Sequence, residues 1–267
     1  MTNTKEETKM KLTNLNIVWY VLCWNEMPIL PFMIDYWKLI ANKVIVLDNN
    51  SSDGSVDYLK QYDWIEVRPY PIETNDELND DIHRRIKNDC WKEQKGKDVD
   101  WVIVSDLDEI LWAKDLQIVL QMGKDAKIAV LLPEGYDFVS LTYPEHIEGK
   151  LLHEQVKNCM RLPMWDKPII FNPDYVKEIN YSPGAHNARP ECSHMCMRIK
   201  GLYLFHFKYL GLEYLINKRF ATAGRMSDIN KKNNWGFEYL YDKQQIEKQF
   251  NDRWDKAKDF SVDTLLK

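Results

Sequence analysis

Two aspartates one residue apart, Asp106 and Asp108, close the apolar run Trp101-Val102-Ile103-Val104-Ser105 and are followed at once by Glu109. Two carboxylates about 4 Å apart repel by roughly 4 kcal/mol at an effective dielectric near 20, so a half-buried pair calls for a cation beside it. One or two carboxylates plus substrate phosphates is the usual way in which proteins hold Mg2+ or Mn2+. Solvated acids at a strand end are the plain alternative, and both readings stand on these residues alone. Four of the five residues in the run are β-branched or aromatic, so it reads as a buried strand with the acids at its carboxyl end. On a continuing strand Asp106 and Asp108 point one way and Leu107 points back into the core. That edge is where open α/β sheets bind their ligands.

Two further polar turns follow apolar strands. Leu15 to Cys23 reads as a first strand, with Cys23-Trp24-Asn25-Glu26 as its turn. A helix follows, with Pro31 in its first turn and an apolar stripe at Met33, Ile34, Trp37 and Ile40. Val44 to Leu47 is the second strand, closed by Asp48-Asn49-Asn50-Ser51-Ser52-Asp53-Gly54, whose residues either contact a base or ribose or simply cap the helix from Ser55 to Gln61. Trp64 to Val67 is a third strand, Pro71 to Asp81 an acidic loop, and Ile82 to Glu93 a helix carrying Arg84, Arg85 and Lys87. Strands alternating with helices predict a parallel sheet covered on both faces, which brings all three turns to one edge.

Beyond the acids, Ala113 to Met122 reads as a helix and Ile128 to Leu132 as a strand. Prolines at 133, 144, 163, 168, 173, 183 and 190 then predict irregular loops with short strands such as Ile169 to Phe171. Leu202 to Phe207 reads as a late strand. Leu212, Leu215, Ile216 and Phe220, then Ile246, Phe250 and Trp254, mark two closing helices.

Composition narrows the partners. At 267 residues, 45% hydrophobic and 29% charged, the chain reads as a polar leader over 1–14 and one large α/β domain over 15–267. A net charge of −5 without a basic block disfavours nucleic acid. The first 14 residues lack an apolar signal region and no run is long enough to span a bilayer. The expectation is a cytoplasmic protein, with peripheral membrane contact left open. Five scattered cysteines fit a reducing compartment; Cys192-Ser193-His194-Met195-Cys196 with His186 has zinc-ligand types without zinc spacing, and buried thiols are the default. The first glycine is Gly54, so the glycine-rich phosphate loop of dinucleotide-binding and P-loop proteins is missing, and a metal would have to neutralise a bound diphosphate.

Taken in order, Cys23-Trp24-Asn25-Glu26, Val44 to Gly54 and the strand ending Asp106-Leu107-Asp108-Glu109 resemble the GT-A glycosyltransferases, specifically family-2-like enzymes. The resemblance is strongest over residues 15–112. It extends more weakly through Lys167 to Phe171, Gly184 to Asn187 and His206 to Tyr209, segments resembling a bacterial subgroup. It implies a Rossmann-like, mostly parallel sheet with helices on both faces, a nucleotide-sugar-binding half over about 15–132 and an acceptor half over about 133–267. It also implies transfer of a sugar from a nucleotide-diphosphate donor to a glycan, lipid-linked or protein-linked acceptor, with inversion, as in polysaccharide biosynthesis. Asp106 and Asp108 would bind Mn2+ or Mg2+ and the donor diphosphate, with His206 as a further metal ligand. Asn25, Glu26, Asp48 and Asn49 would contact base and ribose, and Arg84, Arg85 or Lys87 the diphosphate. The usual family base lies in a Glu-Asp pair, and this chain has none. His186, Asp137, Glu134 and Glu191 are the candidates, His186 first for its near-neutral intrinsic pKa. A nucleotidyltransferase-like metal-phosphate enzyme and a non-catalytic nucleotide-sugar-binding protein are the alternatives.

Overall fold

The structure is a computed structural model that describes residues 12–259. Most of the leader expected over 1–14 therefore lies outside the described residues. The first half alternates as expected: β1 (Ile17–Cys23), α1 (Leu30–Ile40), β2 (Lys43–Asp48), α2 (Ser55–Leu59), β3 (Ile65–Pro69), α3 (Asp80–Asp89) and β4 (Trp101–Ser105). Then come β5 (Glu109–Trp112), α4 (Leu116–Asp125), β6 (Val130–Ser140), α5 (Leu152–Gln155), β7 (Asn158–Arg161), β8 (Ile170–Phe171), β9 (Val176–Glu178) and β10 (Glu191–Cys192). The chain closes with β11 (Cys196–Leu210), α6 (Leu212–Ala223), α7 (Asp228–Asn233), α8 (Lys243–Lys256) and β12 (Lys258–Asp259).

The result is an α/β fold around one central sheet, ordered β12-β7-β6-β8-β4-β1-β2-β3, with β11 pairing β5 and β6. β3, β2, β1 and β4 are parallel, so Cys23, Asp48 and Pro69 align at one edge, and Ser105 stands beside Val21. β8 runs antiparallel to β4 and β6, which makes the sheet mixed beyond the first half. Side-chain alternation explains the layers. Trp19, Val21, Val44 and Val46 bury against α1 and α4, whereas Val18, Tyr20, Ile45 and Leu47 bury on the other face with Ile86 of α3. Every residue of the expected α1 stripe is buried.

Three expectations are corrected. Asp106 to Asp108 do not continue a strand; they form the turn between β4 and β5, and the helix expected at Ala113 starts at Leu116 because Glu109–Trp112 pairs antiparallel with β11. The stretch from Pro133 is not uniformly irregular, since Val130–Ser140 is an eleven-residue strand running through the proline. It does so because β11 bulges opposite Pro133. Leu132 faces Arg198 and Glu134 faces Tyr203, so residues 199–202, including Gly201 at φ 87°, loop out where proline offers no ladder N–H. Among the described residues no helix is long and apolar enough to cross a membrane.

Candidate active site

A cleft of about 500 Å3 opens beyond the carboxyl ends of β1 to β4. One wall is the Asp106-Leu107-Asp108 turn. Another is α6 with the segment after it, from which Lys218, Thr222 and Arg225 project at positions i, i+4 and i+7.

The two aspartates of the turn have different surroundings. Asp106 Oδ1 accepts from Lys87 Nζ at 2.5 Å and Oδ2 from Lys167 Nζ at 2.8 Å, while Lys167 also reaches buried Glu109 at 2.5 Å. Burial opposes the charge on Asp106, but the two ammonium groups, Lys167 foremost, outweigh it and hold the carboxyl well below its usual range. Burial raises the Glu109 carboxyl, with Lys167 pulling the other way. Asp108 instead faces His206, whose Nε2 stands 3.7 Å from Asp108 Oδ2. Burial again opposes ionisation, and the His206 ring and then Lys218 lower the Asp108 pKa.

His206 owes its orientation to strand register. It is paired with Asp137 on β6 and with Glu109 on β5, and its Nδ1 donates to Asp137 Oδ1 at 2.7 Å. That bond leaves Nε2 aimed at Asp108, the arrangement that fixes metal-ligating histidines. Burial opposes protonation of the ring, but Asp108 and Asp137 raise its pKa. The Trp165 ring stacks on His206 at 4.0 Å and lies 4.8 Å from His186.

Among the described residues no three His, Cys, Asp or Glu side chains gather as a metal site. Asp108 and His206 nevertheless suit two positions of one. Ligands at about 2.1 Å from a common ion stand roughly 3.0 Å apart in an octahedron and roughly 3.4 Å in a tetrahedron. Oδ2 and Nε2, 3.7 Å apart and so too far for a direct hydrogen bond, would close by a few tenths of an ångström on such an ion. Asp106 does not join them, because lysines hold both of its oxygens.

The remaining predicted residues divide. Glu26 and Asn49 line the cleft. Glu26 binds Lys218 Nζ at 2.9 Å; burial raises its pKa, with Lys218 opposing. Asn49 accepts from Thr74 at 2.6 Å. Asn25 and Asp48 instead lock the turn: Asn25 accepts from the Ser52 N–H at 2.7 Å and Asp48 from the Ser51 N–H at 3.0 Å. Arg84 and Lys87 line the cleft, whereas Arg85 is exposed and off it, so the expected role of Arg85 at the diphosphate loses its geometry. His186 lines the cleft, and burial followed by Lys167 pushes its pKa down to about 4, leaving it neutral with Nδ1 buried and unpartnered. Asp137 is fully buried beneath His206, which removes it from reach of an acceptor. Glu134 and Glu191 lie off the cleft. Cys192 and Cys196 stand 3.4 Å apart, but His194 stacks on Tyr175 and His186 is in the cleft, so no zinc set assembles.

Sequence reasoning missed Lys167, Lys218 and Arg225. Arg225 lies over the Trp24 ring at 3.7 Å. Solitary basic residues carry no spacing signal, and only the fold brings them to the cleft.

The model of glycosyltransferase family 92 matches residues 23–254. A search of curated proteins finds no match. Crystal structures of S. aureus TarS residues 1–349 resemble the chain. The complex with UDP-GlcNAc is 13% identical, with 85% of this chain and 72% of that one covered and a TM-score of 0.41. The complex with UDP is 12% identical, with 85% and 71% covered and a TM-score of 0.40.

Proposed function

The chain belongs to glycosyltransferase family 92, and from that premise we propose that it transfers a sugar from a nucleotide-diphosphate donor to a hydroxyl of a glycan or glycoconjugate acceptor, with inversion and with Mn2+ or Mg2+. The observation that carries the reading is the Asp137–His206–Asp108 series at the open end of the parallel strands. Asp108 Oδ2 and His206 Nε2 would hold the cation, which when bound supplies positive charge beside the leaving diphosphate.

The chain's own residues supply the rest. Glu26 and Asn49, which line the cleft beyond the ends of β1 and β2, orient nucleoside hydroxyls and base in this reading. Lys87, paired with Asp106, and Lys218, paired with Glu26 and close enough to lower the Asp108 pKa, donate charge-assisted hydrogen bonds to the diphosphate as its charge grows. His186, neutral and facing the cleft, takes the proton from the acceptor hydroxyl as its oxygen bonds to the anomeric carbon and the bond to the diphosphate breaks. Asp137 holds His206 in the orientation and tautomer that present Nε2.

The test is donor hydrolysis and transfer across nucleotide sugars with Mn2+. Asp108→Asn and His206→Gln are each expected to lower kcat by 100-fold or more while folding normally. Full activity in both variants, or equal activity in excess chelator, would overturn the metal assignment. For His186→Ala the acid limb of the pH-rate profile should disappear; an unchanged profile removes it as base.

A further inference from the structure

We propose that the end of the cleft around Arg219 is a subsite for an oxyanion, a carboxylate or phosphate group carried by a saccharide acceptor, an inference that rests on the transferase reading above. Arg219 is 1% exposed and lines the cleft. Its Nη2 donates to Gln249 Oε1 on α8 and reaches Glu238 Oε2 at 3.3 Å. Its Nε and Nη1 have no hydrogen-bond partner among the described residues. Buried guanidinium N–H groups are normally satisfied, and such an orphan in a cleft wall is matched by a ligand that brings acceptor oxygens.

The neighbours favour an anion. Lys208 Nζ donates to the same Glu238 Oε2 at 3.0 Å, so two cations share one carboxylate oxygen. Arg253 also lines this end, directed at Asp137 from 3.7 Å. Lys208, Arg219 and Arg253 thus face two carboxylates, Glu238 and Asp137, and Asp137 is shared with His206, which leaves the cations in excess. The chemistry of a sugar stands next to them. Trp235 and Phe237, on the same turn as Glu238, line the cleft, and Phe237 is 45% exposed, which offers an apolar ring face to a pyranose. Arg219 is tied to α8 and to this turn, whereas Trp24, Asn49 and Tyr70 define the other end, beyond β1 to β3.

Calorimetric titration of the full chain with glucuronate, glucose 6-phosphate and glucose, each with and without saturating UDP, tests the subsite. Glucuronate and glucose 6-phosphate are expected to bind at least tenfold more tightly than glucose, and UDP should leave that binding intact. Arg219→Gln and Lys208→Gln should each weaken binding of the anionic sugars tenfold or more while changing UDP affinity less than twofold. Circular dichroism checks that both variants fold, and Lys208→Gln decides the matter if Arg219→Gln does not. Equal affinity for glucose and the anionic sugars overturns the proposal, as does loss of their binding when UDP is present, which would assign these cations to the donor. Because binding is read without turnover, absence of donor hydrolysis would sink the transferase reading separately.

Discussion

Asp137 is a carboxylate with no path to solvent, so what it contributes passes through His206, bonded at 2.7 Å, and through Arg253, 3.7 Å away. Replacing it with Asn keeps the shape and removes the charge that orients the ring. Asp137→Asn is expected to weaken Mn2+ binding, measured by titration in the presence of UDP, by about 10–100-fold, the usual cost of losing such an outer partner. Unchanged Mn2+ affinity would show that the His206 orientation needs no anion. At this scale the sequence disclosed acids but not their partners. Asp106 and Asp108 were visible as a pair because their spacing is local, yet nothing local distinguishes the one held by two lysines from the one facing His206. Asp137 was visible as an acid and misjudged as a base, since only the β6–β11 register reveals that it lies beneath a histidine.

The strands make the same point at larger size. β1, β2 and β4 were legible because each is a short apolar run closed by polar turn formers, and β3 by the alternation of Ile65 and Val67 with Glu66 and Arg68, patterns that depend on neighbouring residues alone. β6 was legible only as far as Leu132, because Pro133 reads as a breaker and becomes tolerable only where another strand bulges opposite it. One residue beyond that bulge region lies Gly135, where an added Cβ would come 2.3 Å from Trp165 Cβ and 2.5 Å from the Trp165 carbonyl oxygen. Gly135→Ala must therefore push Trp165, and with it the ring stacked on His206. The expected result is a loss of about 1–3 kcal/mol in urea unfolding, as for other overpacked cores, together with reduced turnover. A variant with wild-type stability and activity would mean that the Trp165 segment shifts freely.

The molecule as a whole should be acid-sensitive through its histidines. Burial pushes His83, His153 and His186 each down to about 4. Their folded values lie below the unfolded value of about 6.5, so between those limits the unfolded chain binds protons that the folded chain refuses. The stability that these three rings supply is therefore complete above about pH 6.5 and falls as pH drops towards 4. Urea unfolding near pH 5 should take up nearly three protons through these groups, and His153→Gln should reduce that uptake by about one. A flat stability profile from pH 7 to 5 would contradict the burial of these rings.

The bond between His206 and Asp137 also has a history in time. It joins side chains 69 positions apart through a parallel pairing, a contact that carries the entropic cost of closing the intervening loop. The β1–β4 pairing spans still more of the chain, from Ile17 to Trp101, but both of its strands precede β11, so in a chain made from its N-terminus the constellation facing Asp108 becomes possible later than the β1 to β4 sheet. A chain still emerging from the ribosome, or a fragment ending before β11, carries Asp106 and Asp108 without the histidine that gives the second of them its partner. The partner of Asp108 thus arrives with β11, and an incomplete copy has the cleft's acids without His206.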